Sequence, residues 1–96
     1  MKVFKYVINP YDSEVDMPKY AKVLSVAFQG EDFCLWAEVD ETNDTETRDF
    51  EIVGTGWDIP TEGYNVFIGT AHKDDGLVFH AFELLNYAKA IERGIA

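Results

Sequence analysis

Residues 2–8 alternate polar and apolar side chains, which places Phe4, Tyr6 and Ile8 on one face of a strand. Asn9-Pro10-Tyr11-Asp12 reads as a turn, because proline fixes φ and asparagine favours turn initiation. Residues 13–17 suit a short second strand stopped by Pro18. Residues 22–29 predict a strand with Leu24, Val26 and Phe28 on one face, and Gly30-Glu31-Asp32 predicts a hairpin. In residues 33–40, Phe33, Leu35, Ala37 and Val39 face one way, while Cys34, Trp36 and Glu38 face the other. Both faces are partly apolar, as expected of a strand central to its sheet. A polar loop over 41–47 leads to a strand over 48–53 that turns Phe50 and Ile52 inward and ends at Gly54-Thr55-Gly56. After a loop over 58–63 come a strand over 64–72 interrupted by Gly69, a turn at 73–76 and a last strand over 77–82.

From Glu83 the period changes. Leu84, Ala88 and Ile91 share one helical face, Glu83 and Arg93 suit the helix dipole, and Gly94 is placed to stop the helix. The pattern therefore predicts a mainly β fold bordering on α+β. It is a small antiparallel, curved sheet, a half-barrel or sandwich of about six or seven strands with a C-terminal helix. The 96 residues form a single domain, a β-rich core over 2–82 and a helix over 83–94.

Composition adds partners and exclusions. Apolar residues make up 47% of the chain, with seven Phe, five Tyr and two Trp, enough large side chains for a core. The net charge of −10 argues against DNA or RNA, whose phosphates need a basic surface. The acidity serves solubility, or else a surface that mimics nucleic acid or docks on a basic partner. One cysteine rules out an intrachain disulfide, no signal-peptide core follows the basic start, and no apolar stretch is long enough for a membrane span. A cytoplasmic, membrane-free protein is expected. A homo-oligomer is expected too, since short sheets leave open edges.

Candidate chemistry is sparse. Gly54-Thr55-Gly56-Trp57 lacks the lysine and following helix of a phosphate loop, so it reads as a strand exit or a backbone-lined ligand edge with Trp57 for stacking. Arg48 is the one basic residue among seven carboxylates between Glu38 and Glu51. It either pairs with them at the surface or, with its stem on the apolar face, presents a guanidinium to an anion. His80 shares a phase with Val78 and Phe82, and a lone strand histidine is more often a satisfied core residue than a catalyst. His72 falls at a strand end beside a charged turn. Two histidines and one cysteine without ligand spacing predict no metal, and the acidic loop at 40–44 lacks calcium-loop order. Cys34 reads as a packed small hydrophobe. No nucleophile elbow, triad or acid–base pair stands out, so no enzyme and no cofactor are expected.

Several segments together resemble a family of small, uncharacterised phage and bacterial proteins. They are Phe4-Lys5-Tyr6, Met17-Pro18, Ala21 to Val26, Cys34-Leu35-Trp36-Ala37 with Val39-Asp40, Arg48 before Phe50, Gly54-Thr55-Gly56, Phe67-Ile68-Gly69-Thr70, and Leu77-Val78-Phe79-His80 with Phe82-Glu83. The resemblance covers roughly residues 3–83 and leaves the helix as an addition; Trp57 stands where a histidine often follows the Gly-Thr-Gly element. It implies a phage context and no established activity. By analogy with small phage proteins that counter host defence, the expected function is a non-catalytic accessory protein that binds a small anionic ligand, such as a nucleotide immune signal. The residues expected to bind it are Arg48 for charge, Trp36, Trp57 and Tyr64 for stacking, Thr55 and Thr70 for hydroxyl contacts, Gly54, Gly56 and Gly69 for backbone approach, and His80. The alternative is an acidic protein–protein module or inhibitor of a host protein that works through its carboxylate-rich face.

Overall fold

The computed structural model describes residues 1–10, 14–60 and 62–96. Seven strands precede one helix: β1 (Lys2–Ile8), β2 (Glu14–Pro18), β3 (Lys22–Gln29), β4 (Asp32–Val39), β5 (Thr45–Gly54), β6 (Tyr64–His72), β7 (Val78–Leu85) and α1 (Tyr87–Glu92). Of the expected elements, Tyr11 and Asp12 of the first turn, Ser13 of the second strand and Thr61 of the loop after β5 lie outside the described residues.

All pairings are antiparallel, in two sheets ordered β1-β4-β3 and β2-β5-β7-β6 that do not close into a barrel. β4 is central to its sheet, as its two apolar faces predict. The inner faces meet in one core, where Phe33, Leu35, Ala37 and Val39 of β4 pack with Ile8, Met17, Phe50 and Ala81. Phe50, Leu35 and Met17 are each 1% exposed, so truncating any of them opens a cavity that costs about 2–5 kcal/mol. Bulges interrupt β3 between Val23 and Ser25, and β6 between Phe67 and Gly69. At the second bulge β6 comes close to β3: a Cβ at Gly69 would lie 2.8 Å from Val26 Cγ2.

Three expectations are corrected. The helix does not begin at Glu83, because Glu83, Leu84 and Leu85 extend β7 against β5 and β6. In Ala81-Phe82-Glu83-Leu84-Leu85 the inward positions are Ala81, Glu83 and Leu85, all buried, and this two-residue period wins over the apparent helical one. The helix starts after Asn86, whose side chain caps it by accepting from the Lys89 N–H at 2.8 Å. Within α1 only Ala90 is buried, and Ile91 is half exposed, so Ile91 does not share a core face with Leu84. Finally, β5 begins at Thr45: Thr45, Glu46 and Thr47 pair with Pro18, Met17 and Asp16 of β2, whereas their polarity reads as loop.

Candidate functional site

Register sets the outer face of the four-stranded sheet. Val53 of β5 opposes His80 of β7, which opposes Thr70 of β6. The next row, Ile52 with Ala81, turns to the core, and the row beyond brings Phe82 opposite Phe67 on the outer face, rings 5.6 Å apart and edge to face. His80 is thus a half-buried outer-face residue and not a core one. Its ring is held from both sides, with Nε2 2.8 Å from Thr55 Oγ1 and Nδ1 2.9 Å from Thr70 Oγ1. A neutral imidazole has one N–H donor and one acceptor, and a hydroxyl serves either role, so both contacts are satisfied in either tautomer.

β5 leaves the sheet in a turn closed by the Trp57 N–H donating to the Gly54 carbonyl at 3.0 Å. Trp57 then folds onto Gly54, where a Cβ would lie 2.8 Å from the indole; glycine leaves the room the ring takes. The indole also meets Phe79 edge to face, 6.0 Å between centroids. The result is a recess of about 290 Å³ lined by Gly54, Thr55, Trp57, Phe67, His80 and Phe82, with Val53, Gly56 and Ile59 completing it. Among the described residues, no Asp, Glu, Lys or Arg side chain lines it. Trp57 and Phe67, 65% and 57% exposed, stand at its sides.

A larger cleft of about 500 Å³ opens between the edges of β3 and β6, and Phe67 borders both cavities. Its rim includes Tyr20 and Lys22, and Tyr20 holds a left-handed backbone, φ 68. On its floor the Glu83 carboxylate lies between two guanidiniums. Arg48 donates from Nε to Oε2 at 2.8 Å and from Nη2 to Oε1 at 2.7 Å, and Arg93 donates twice at 2.9 Å. Arg48 Nη1 also donates to the Ala21 carbonyl at 2.5 Å, which ties down the β2–β3 turn. Burial pushes the Glu83 carboxyl up, but the hydrogen bonds from Arg48 and Arg93 outweigh it and hold the group below the usual glutamate range.

The structure brings Gly54, Thr55, Gly56, Trp57, Thr70 and His80 together. Arg48 has its stem inward as expected, but it is 3% exposed and grips Glu83. Gly69 sits at the β6 bulge against Val26. Tyr64 is at the other end of β6, 6.3 Å from the ring of Tyr87. Trp36 lies on the first sheet, paired with Lys5 and Ser25. Sequence reasoning missed Phe67, Phe82 and Ile59 of the recess and Glu83 and Arg93 of the cleft. The two-residue period joining Phe82 to His80 was the available signal. Among the described residues, no group of three or more His, Cys, Asp or Glu side chains is arranged to hold a metal, and no helix is long and apolar enough to cross a membrane.

No curated protein and no solved structure matches the chain. A family model does match, over residues 1–91, and so takes in most of α1, which the resemblance alone leaves as an addition. The chain belongs to the DUF7352 family, a domain of unknown function.

Proposed function

We propose that this protein is a non-catalytic binding protein whose outer-sheet recess takes the planar ring of a small nucleotide-like ligand. The observation that carries the reading is the convergence of Thr55, Trp57, Phe67 and His80 around one uncharged recess. Exposed aromatic faces stack on a base for about 1–3 kcal/mol each. Hydroxyls held by an imidazole can donate or accept, which suits the mixed edge of a heterocycle. The ligand's anionic group has its counterpart across Phe67 in Lys22, which lines the cleft with Glu46 and Glu92, while Arg93, like Arg48, is bound to Glu83. Arg48, spent on Glu83, holds the floor. The resemblance to small phage proteins supports a nucleotide signal of host defence as the ligand and sequestration as the outcome.

Calorimetric titration of cyclic and linear nucleotides and their nucleosides into wild type, Trp57→Ala and Phe67→Ala tests this. At least one nucleotide should bind, and each variant should weaken it by roughly ten- to a hundredfold. Binding that is equal in all three proteins, or absent throughout, overturns the proposal.

One observation favours a second reading, an acidic module for a basic protein partner. The strands of the second sheet carry Glu14, Asp16, Glu46, Asp49 and Glu51 besides the buried Arg48–Glu83 pair. In that case neutralising Glu41, Asp44, Glu46 and Asp49 together abolishes partner binding, whereas a ring-binding recess is indifferent to the change.

A further inference from the structure

The outer face of the first sheet departs from the apolar-in, polar-out rule for a solvated antiparallel sheet. Val3 and Val7 of β1 are 59% and 51% exposed, and Leu24 at the β3 bulge is 46% exposed. Between them lies Trp36, half-buried at the centre of the face in one row with Lys5 and Ser25. Glu38 is two residues further along β4, opposite Val3. The charge balance also differs from the rest of the molecule. β1, β3 and β4 carry Lys2, Lys5 and Lys22 against Asp32 and Glu38, a net +1, whereas the four strands of the second sheet carry a net −5. Two copies of a chain with net charge −10 repel each other least through the first sheet.

We propose that this face binds a second copy of the chain in a two-fold dimer centred on Trp36. With ordinary strand spacing and rise, Lys5 lies about 5 Å from Trp36 across the strands and Glu38 about 7 Å along β4, at right angles. A two-fold axis in the interface that passes through Trp36 and bisects those two directions exchanges them. Each Lys5 then faces the partner's Glu38. The same operation sets Val3 against the partner's Val3 and brings Val7 over the partner's Leu24. The sheets cross near 90°, one of the two ordinary ways that sheets pack. Lys22, opposite Glu38 on β3, falls beside the partner's Val7 at the rim; the other apolar positions meet apolar ones and Lys5 pairs with Glu38, so most of the face is complementary to itself. An acidic foreign surface would oppose Glu38, and a basic one would oppose Lys5. To pair, Lys5 gives up its bond to Gln29 Oε1, an exposed contact of 3.0 Å.

The size sets the strength. Three strands of seven or eight residues make a face of roughly 25 by 15 Å, or ~400 Å² per copy, about half the ~800 Å² of a standard interface. The dimer is therefore reversible and concentration-dependent.

Sedimentation equilibrium from about 5 μM to about 1 mM tests it, with the dimer fraction expected to rise across that range. Lys5→Glu and Glu38→Lys should each weaken the dimer at least tenfold, and the double variant, which restores opposite charges, should regain it. Val7→Lys should weaken it without touching either charge, and circular dichroism checks that each variant is folded. In a Trp57→Phe background, the fluorescence of Trp36 should shift to the blue as the dimer forms. A chain that stays monomeric at 1 mM overturns the proposal. So does a dimer that ignores Val7→Lys, or one that the charge swap fails to restore.

Discussion

At the scale of single residues, burial separates ion pairs that look alike in sequence. Lys2 and Glu41 meet at 2.7 Å with 60% and 49% of their side chains exposed, and such a pair is worth at most about 1 kcal/mol. Arg48 and Glu83 also meet at 2.7 Å, but each side chain is 4% exposed. Removing Arg48 leaves the buried Glu83 carboxylate with Arg93 as its remaining guanidinium, so Arg48→Ala should cost about 1.5–3 kcal/mol in urea unfolding, and Lys2→Ala about 1 kcal/mol or less. A cost near 1 kcal/mol for Arg48→Ala would return it to the surface role its acidic neighbours suggest. The pair also carries a pH signature. Burial raises the Glu83 carboxyl, but Arg48 and Arg93 together leave its folded pKa below the ordinary 4.5. A depressed folded pKa means stabilisation that is present above the unfolded value and lost as pH falls through the folded one. The urea midpoint should drop as pH falls below the ordinary 4.5, and Glu83→Gln should be less stable at neutral pH and lose this part of the drop.

At the scale of elements, the two-residue period made most strands legible, because one face of each is buried and a single-residue slip would expose it. It failed where two periods coincide. Leu84, Ala88 and Ile91 fit a helix, while Ala81, Glu83 and Leu85 fit a strand, and the buried partner that decides, Arg48, is 35 residues away. Gly54, Thr55 and Trp57 were legible as a site because they adjoin in the chain. Phe67 and Arg93 were not, since strand order brings them in. The end of β7 also crowds Gly63, just before β6. There φ is +71, and a Cβ would stand 2.7 Å from the backbone oxygen of Leu85, which cannot move without breaking the end of the β6–β7 ladder. Gly76, in the β6–β7 turn, has φ +88 and nothing within 4 Å. Gly76→Ala should therefore cost only the left-handed penalty of about 1–2 kcal/mol, and Gly63→Ala distinctly more. Thermal melts of the two variants check this, and equal losses would mean that Leu85 is not held where β7 puts it.

At the scale of the whole molecule, electrostatics is an imbalance more than a set of pairs. A chain with net charge −10, much of it on one sheet, repels itself when folded, and that repulsion acts over distances salt can screen. Going from about 20 mM to about 0.5 M sodium chloride shortens the screening length from ~20 Å to ~4 Å. Salt also weakens the exposed attractions, Lys2 with Glu41 and Lys73 with Glu31, but each contributes little. The buried pair of Arg48 and Glu83 is screened much less. Repulsion therefore loses more than attraction, and the melting temperature should rise with salt by several degrees, about 4–8 °C for each kcal/mol in a chain this size. Asp58→Asn, Glu62→Gln and Asp74→Asn combined remove three exposed negative charges. That variant should start with a higher melting temperature at low salt and respond less to added chloride. Working at a few micromolar keeps self-association out of the measurement, and sodium chloride avoids the added burial effect of sulfate. A melting temperature that falls with salt would show that attraction between exposed charges outweighs the excess of carboxylates.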